Sequence, residues 1–519
     1  MKHLLFFSLI FYGISSSAQV ITASVEDRSR YLMRTLKWTS REKQGFQDGN
    51  NIIQIEKTGT KAQTGYTVRL DGMKHALIIH KINADDKEIA SNKLDGGERV
   101  FGPVKTVPYE FAGKLLLFYY RYLDKDSMKL YVSEIDKNTL QLVSTTQLFS
   151  YQQENVGLFK LQKALGREIT LQASKDGSRL LVVASGTEGQ VFSCILEKNL
   201  QLIRKKVSKL KLSDDTGVFQ AVIDNNGNRV IALGKTRYSF ETFNSSIAEK
   251  FLIQKIDNTE RVLDVEAWGS EAEFRNARFQ VSNDQAKIYV FGDYPGEIAN
   301  AGIWISEIQV DKLNIAKPKT FPYPEDFKKR VCAMGFGDRK KSNYGIWDAD
   351  LQLAEFENGD IAIAGSPLHQ DFVAAPDNHG QLQSSASFLV GPVMTAFIKG
   401  SASTFTMIPR TQHHNSGSKS LFIPYNDKLV VIYNDFAKYI NEKLTDDVDP
   451  GRIKMLKDLS LAAAVISKDG TIVSRKMLVQ ENFYNTSYCE FLSDKKMLIP
   501  SAILDKKTDE MKVVMISIE

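Results

Sequence analysis

Cysteine is nearly missing from this 519-residue chain, which has three, and proline and tryptophan are sparse at 13 and 4. Cys194, Cys332 and Cys489 lie far apart, each in or beside an apolar run. An odd count with no C-x-x-C pair argues against a disulfide framework and against a cysteine metal site. They read as buried thiols, with one disulfide between two of them left open. No apolar run is long enough to span a bilayer; the longest, 4–14, falls short. Neither sign of charge prevails, since 67 Lys and Arg face 62 Asp and Glu, and a net +5 is too mild to imply nucleic acid. Contiguous catalytic signatures are lacking too. There is no H-E-x-x-H and no G-x-S-x-G, and Gly234, Lys235 and Thr236 imitate a phosphate loop whose earlier glycine is replaced by Arg229. No metal site and no cofactor is expected.

What is present begins with MKHLLFFSLIFYGISSSAQ: a basic Lys2, an apolar stretch and small residues ending at Ala18. This is the pattern of a secretory signal peptide cleaved after Ala18, so residues 1–18 are read as a leader and the remainder as exported, periplasmic or extracellular.

The rest of the chain repeats itself. An apolar run, a polar Asp/Asn/Gly turn and a second apolar run recur with turns at Gly113, Gly177, Gly227, Gln285, Gly359, Asp427 and Lys495. Intervals of roughly 50–75 residues with one hairpin per copy mark an all-β protein, a β-propeller whose blades bury their faces only by stacking on neighbours. Seven four-stranded blades are expected over 96–519. Residues 19–95 hold further strand-like runs that could close the ring, cap it, or form an eighth blade with a turn near Gly49 or Gly72. A second pattern of short turns, around Asp136, Lys198, Asn258, Asp311 and Gly470, is read as the outer strand D of one blade turning into strand A of the next. The first pattern is then the B–C hairpin. Both kinds of turn carry residues that accept positive φ or mimic a turn with a side chain.

The SKDGSRL turn, with Ser174, Asp176 and Gly177, resembles the S-x-D-G turns of TolB-like and WD-repeat-like propellers, and Ser282 and Asp284 match in part. The resemblance runs from about Val104 onward and implies an exported bacterial propeller. It departs from the sialidase Asp-box, which needs a residue between Asp and Gly, so it does not imply that activity. A propeller fold by itself selects no chemistry.

Loop lengths point to a working face. The long segments are 151–168, 267–277, 321–350 and 409–420, read as A–B connections, and 235–248, 293–301, 367–387 and 434–459, read as C–D connections. In an up-and-down blade these two kinds of connection leave from one face of the disc, and loops on a rigid scaffold are where binding and catalysis concentrate. Four of the seven histidines fall there: His369, His379, His413 and His414. With Asp371 close to His369, the catalytic candidates are His369, Asp371 and His413. Arg339, Tyr344 and Trp347, in a stretch rich in Lys and Arg, suit a glycan, because rings stack on sugar faces while cations meet carboxylates or sulfates. Arg410, His379 and His414 complete the candidate binding set. Asp446, Asp447 and Asp449 lack the spacing of a calcium loop and read as solvated acids. The expectation is a monomeric, non-catalytic binding module for an envelope protein or polysaccharide. The alternative is a glycan-active lyase or hydrolase using the same loops.

Overall fold

The computed structural model describes residues 21–29, 45–58, 76–83, 87–95, 106–122, 127–152, 169–185, 190–210, 216–236, 248–266, 277–294, 301–312, 314–334, 351–376, 382–410, 412–413, 419–441, 459–480, 484, 486, 489–493, 495–504 and 510–519. After strand β1 (Ile21–Ser29), blade 1 comprises β2 (Gly45–Asp48), β3 (Asn51–Thr58), β4 (Ala76–Ile82) and β5 (Glu88–Asp95). Blade 2 comprises β6 (Val107–Phe111), β7 (Lys114–Tyr122), β8 (Ser127–Ile135) and β9 (Leu142–Gln152). Blade 3 comprises β10 (Ile169–Ala173), β11 (Arg179–Ser185), β12 (Gln190–Glu197) and β13 (Leu202–Lys209). Blade 4 comprises β14 (Thr216–Ile223), β15 (Arg229–Thr236), β16 (Ala248–Ile256) and β17 (Val262–Glu266). Blade 5 has β18 (Arg278–Val281), β19 (Lys287–Tyr294), β20 (Gly302–Gln309), and then β21 (Asn314–Ile315) and β22 (Lys319–Pro322), both paired with β20. Helix α1 (Glu325–Ala333) follows.

Blade 6 is interrupted. Its first two strands are β23 (Gln352–Glu355) and β24 (Ile361–Gly365); the chain then forms β25 (Leu368–Pro376) and β26 (Leu382–Val390) before returning as β27 (Val393–Lys399) and β28 (Ala402–Ile408). β25, β26 and the short β29 (Gln412–His413) make a separate three-stranded sheet. Blade 7 comprises β30 (Leu421–Tyr425), β31 (Lys428–Phe436), β32 (Leu459–Ser467) and β33 (Ile472–Val479), with α2 (Ala437–Asn441) following β31. Blade 8 comprises β34 (Glu490–Ser493), β35 (Lys496–Leu504) and β36 (Glu510–Ile518), and β1 is its fourth strand. No helix among the described residues is long and apolar enough to cross a membrane.

The propeller therefore has eight blades rather than the favoured seven, and of the three roles considered for residues 19–95 two are filled, ring closure and an eighth blade. Residues 45–95 form a blade, turning at Gly49 with φ +61°, and 21–29 close the last one. β1 runs antiparallel to β36 from Ile21↔Ile518 to Ser29↔Glu510.

The strand letters move by one. The turn at Gly177 joins the first and second strands of blade 3, and the turn at Asp136 joins the third and fourth of blade 2. The hairpins read as B–C are thus A–B, and the turns read as D–A are C–D. By the same shift the long segments are D–A and B–C connections. Those also share one end of every antiparallel blade, so the inference of a single face holds under the new letters.

Continuous apolar runs become central strands because both faces of a blade are covered. Along β7, Leu115, Leu117 and Tyr119 pack toward blade 1, while Leu116, Phe118 and Tyr120 pack toward blade 3. Along β31, Val430 and Ile432 face blade 8, and Leu429, Val431 and Tyr433 face blade 6. The core is thus a series of layers between blades. At the rim a second device recurs: a polar side chain donates to a C–D turn carbonyl of the next blade. Asn92 reaches Leu140 O (2.8 Å), Lys206 reaches Glu260 O (3.1 Å), Lys255 reaches Asp311 O (2.8 Å) and Thr406 reaches Gly470 O (2.6 Å). At the closure Lys476 donates to Ile21 O (2.5 Å).

The short-turn end is held by local hydrogen bonds. Asp176 accepts from Ser174 Oγ (2.6 Å), Ser178 N (2.9 Å) and Ser178 Oγ (2.8 Å), and Asp284 accepts from Ser282 Oγ (2.6 Å). These donors hold the Asp176 carboxyl down at about 2; hydrogen bonds lower Asp136, Asp257, Asp284 and Asp469 in the same way, and Lys468 lowers Asp360. A carboxylate that binds its proton less readily when folded contributes stability above its unfolded value near pH 4, and that contribution is lost as pH falls through the folded value. Urea midpoints should therefore drop steeply below about pH 4, and Asp176→Asn should make that drop shallower. An unchanged slope in the variant would count against the turns as its source.

The three cysteines remain thiols. Cys194 is buried between blades 2 and 3, where burial pushes its thiol up to about 12. Cys332 and Cys489 are half-buried against the blade 5–6 and blade 7–8 layers.

Candidate functional site

The inserted sheet gathers residues that the sequence scatters. β25 pairs with β26 so that His369 stands opposite Leu389 and Asp371 opposite Ser387. β26 in turn pairs with β29, placing His413 opposite the same Leu389. His369, Leu389 and His413 therefore form one row across three strands. Asp371 is two residues along β25 from His369. The three proposed catalytic residues thus come from two connections, the B–C segment of blade 6 and the D–A segment after it, and meet in a single sheet at the long-connection end.

The other candidates divide. Arg339, Tyr344, Trp347, His379 and His414 lie outside the described residues, as do Asp446, Asp447 and Asp449. Arg410 is described, and it is not a surface cation available to an acidic sugar. It is 1% exposed. Its Nη2 donates to Ser366 Oγ (2.9 Å) and its Nε to Gly391 O (3.4 Å). Ser366 immediately precedes the inserted hairpin and Gly391 immediately follows it, while Arg410 itself stands just before β29. One guanidinium therefore ties together all three roots of the inserted sheet. Gly391 N also donates to Pro367 O (2.8 Å), closing the hairpin stem.

This root is fixed to blade 7 by a buried polar group that the sequence reading missed. The Arg410 guanidinium carbon lies 6.0 Å from the centre of the Tyr433 ring. Arg475, from the outer strand β33, donates Nε to Tyr433 Oη (2.9 Å) and Nη2 to Asp435 Oδ2 (2.8 Å). Asp435 Oδ1 also accepts from Phe436 N (2.8 Å) at the junction of β31 with α2. Next to it Asn434 exchanges hydrogen bonds with the Tyr484 backbone, donating to its oxygen at 2.8 Å. Burial pushes the Asp435 carboxyl up to about 6 despite Arg475 and Arg410, and brings Arg410 down to about 10. The signal was present in the sequence as Asn434-Asp435, two polar residues that end the apolar run KLVVIY, where a buried strand end needs partners of its own.

No family model matches the chain, and no curated protein does. Solved structures resemble it only in outline. The WD40 domain of SCAP from fission yeast is 10% identical with a TM-score of 0.37, over 90% of this chain and 98% of that one. The β-propeller domain of the trilobed protease from Pyrococcus furiosus is 11% identical with a TM-score of 0.32, over 85% and 98%. Kuenenia stuttgartiensis hydrazine synthase is 12% identical with a TM-score of 0.34, over 77% and 91%. Likenesses this remote carry no argument about ligand or reaction, so a functional reading has to come from the residues.

Proposed function

We propose that the chain is an exported binding module, its leader removed after Ala18, that presents the D–A and B–C connections of one disc face to an envelope protein or glycan. The supporting observation is the asymmetry between the two ends of the blades. One end is closed by short turns whose Asp and Ser side chains bond to their own backbone; the other sends out the long connections and the inserted sheet. The test is thermal unfolding of the chain from Gln19 with neutral and uronic polysaccharides, alongside capture from envelope extracts, repeated on a chain in which 369–389 is replaced by a short turn. A native-state ligand raises the midpoint according to its occupancy. The expected result is a ligand whose shift shrinks or disappears on pruning. Full binding after both 369–389 and 442–458 are pruned would sink the reading.

The register of His369, Asp371 and His413 favours a second reading, a glycan-active lyase or hydrolase. The same panel decides it: turnover of a uronic polysaccharide, lost in His413→Ala at an unchanged midpoint, would replace the binding module with an enzyme.

A further inference from the structure

We propose that the inner wall of the propeller, where Gln172, Gln220, Gln280 and Gln352 stand on the first strands of blades 3–6, is a binding site for a neutral sugar chain. The inference goes beyond both functional readings, which place a ligand on the long-connection face. The first strand of each blade borders the central channel, and β10, β14 and β18 adjoin one another around it. Register sets the four glutamines in one orientation. Gln172 is opposite Leu181, Gln220 opposite Ala232, Gln280 opposite Tyr289 and Gln352 opposite Ala364. Those four partners each pack toward the next blade, and directly opposite residues share a face, so each glutamine leaves its strand on the same side. All four are half-buried.

Three of these amides are anchored at one end by the backbone, which also decides which end is left over. Gln172 Nε2 donates to Ala173 O (3.2 Å), Gln352 Nε2 donates to Ser420 O (3.2 Å), and Gln220 Oε1 accepts from Ala221 N (3.3 Å). Two carbonyl acceptors and one NH2 donor therefore remain, held in place by the other end of the same amide. The Gln280 amide has no partner among the described residues and adds one of each. Hydroxyl groups, which donate and accept at once, match that mixture, whereas a carboxylate or sulfate calls for cations. The only charged residues of β10, β14, β18 and β23 are Arg278 and Glu355. Both are buried, and Glu355 already accepts from Tyr289 Oη (2.9 Å) and Asn283 N (2.6 Å). Apolar surface comes from Phe219 and Phe279, each immediately before a glutamine. Their ring centres are 5.5 Å apart and neither ring is fully covered, which suits the apolar face of a sugar.

The test is calorimetric titration of the chain from Gln19 with linear neutral hexasaccharides of glucose and of mannose, in α and β linkage, and with a uronic hexasaccharide. The expected result is one equivalent of a neutral hexasaccharide bound, with the uronic chain excluded. Gln280→Met strands no group of the protein and should weaken binding about 2- to 10-fold, the worth of one neutral hydrogen bond. Gln147→Met, on the exposed outer strand of blade 2, should leave affinity unchanged. The chain pruned of 369–389 should bind as the full chain does. Three results would each overturn the proposal: no neutral hexasaccharide bound at millimolar concentration, equal binding of the uronic chain, or an affinity unmoved by Gln280→Met. Binding lost on pruning but kept in Gln280→Met would return the sugar to the long-connection face. Should the pruned chain fail to fold, Gln280→Met still decides, and should that variant fail, Gln172→Met reads the same wall.

Discussion

A chain beginning at residue 30, without β1, is expected to fail to give a monodisperse folded protein, and a peptide of residues 19–30 added in trans should restore it. β1 is the outer strand of blade 8 and its partner β36 is the last strand of the chain, so this pairing is what links the two ends into a ring. Ile21 is 1% exposed and packs in the layer between blades 7 and 8 with Val514, Ile516 and Ile518. Lys476 of blade 7 donates to its carbonyl. Without β1, β36 presents a row of unpaired backbone groups along a strand rich in Val, Met and Ile, which is a template for association with other chains. Size-exclusion chromatography and thermal unfolding with and without the peptide would check the prediction. A truncated chain that stays monomeric and unfolds at the original midpoint would show that the blades hold the ring without the closing strand.

The contrast between turns and closure explains what could be read from the sequence. Ser174, Asp176 and Gly177 announce a hairpin because turn chemistry is local: the residues that make the bend are also the ones that signal it. The blade phase is not local. A–B and C–D turns use the same residue types, as Gly177 and Gly470 both show with positive φ, so a repeating chain reads equally well with its letters moved by one. Only β1 fixes the phase, and its sequence ITASVEDRS is polar over its second half, with a partner at the other end of the chain. Blade 1 is hard to count in the sequence because residues 59–75 separate its second and third strands. The histidines and Asp371 were legible as residue types, while their shared row depends on a pairing between segments far apart in sequence. Arg410 misled in the opposite direction. Next to a proline and a threonine it looks like a loop cation, and its burial follows from three chain segments that converge on it.

That convergence underlies the other large effect. Asp435→Ala should destabilise the protein by about 3–5 kcal/mol at pH 7, the usual cost of removing one partner from a buried ion pair. The loss is large because Arg475 has only an 8% exposed side chain and Arg410 is 1% exposed, so two guanidiniums would remain in a desolvated site with their carboxylate gone. Combining Asp435→Ala with Arg475→Met should recover part of the cost, since the second change removes one of the stranded charges. Asp435→Asn separates charge from shape. Burial raises the Asp435 carboxyl to about 6, so the folded state holds this proton more tightly than the unfolded chain. Its contribution to stability therefore falls as pH rises from about 4 to about 6, opposite in sign to the turn aspartates, and that decline should vanish in Asp435→Asn. Because Arg410 carries the coupling from blade 7 to Ser366 and Gly391, amide exchange in β25 and β26 should quicken in Asp435→Ala beyond what the global loss of stability accounts for. A cost below about 1 kcal/mol, with unchanged protection in those strands, would mean that the inserted sheet is held by its own stem, and the buried polar group would then be an independent feature of blade 7.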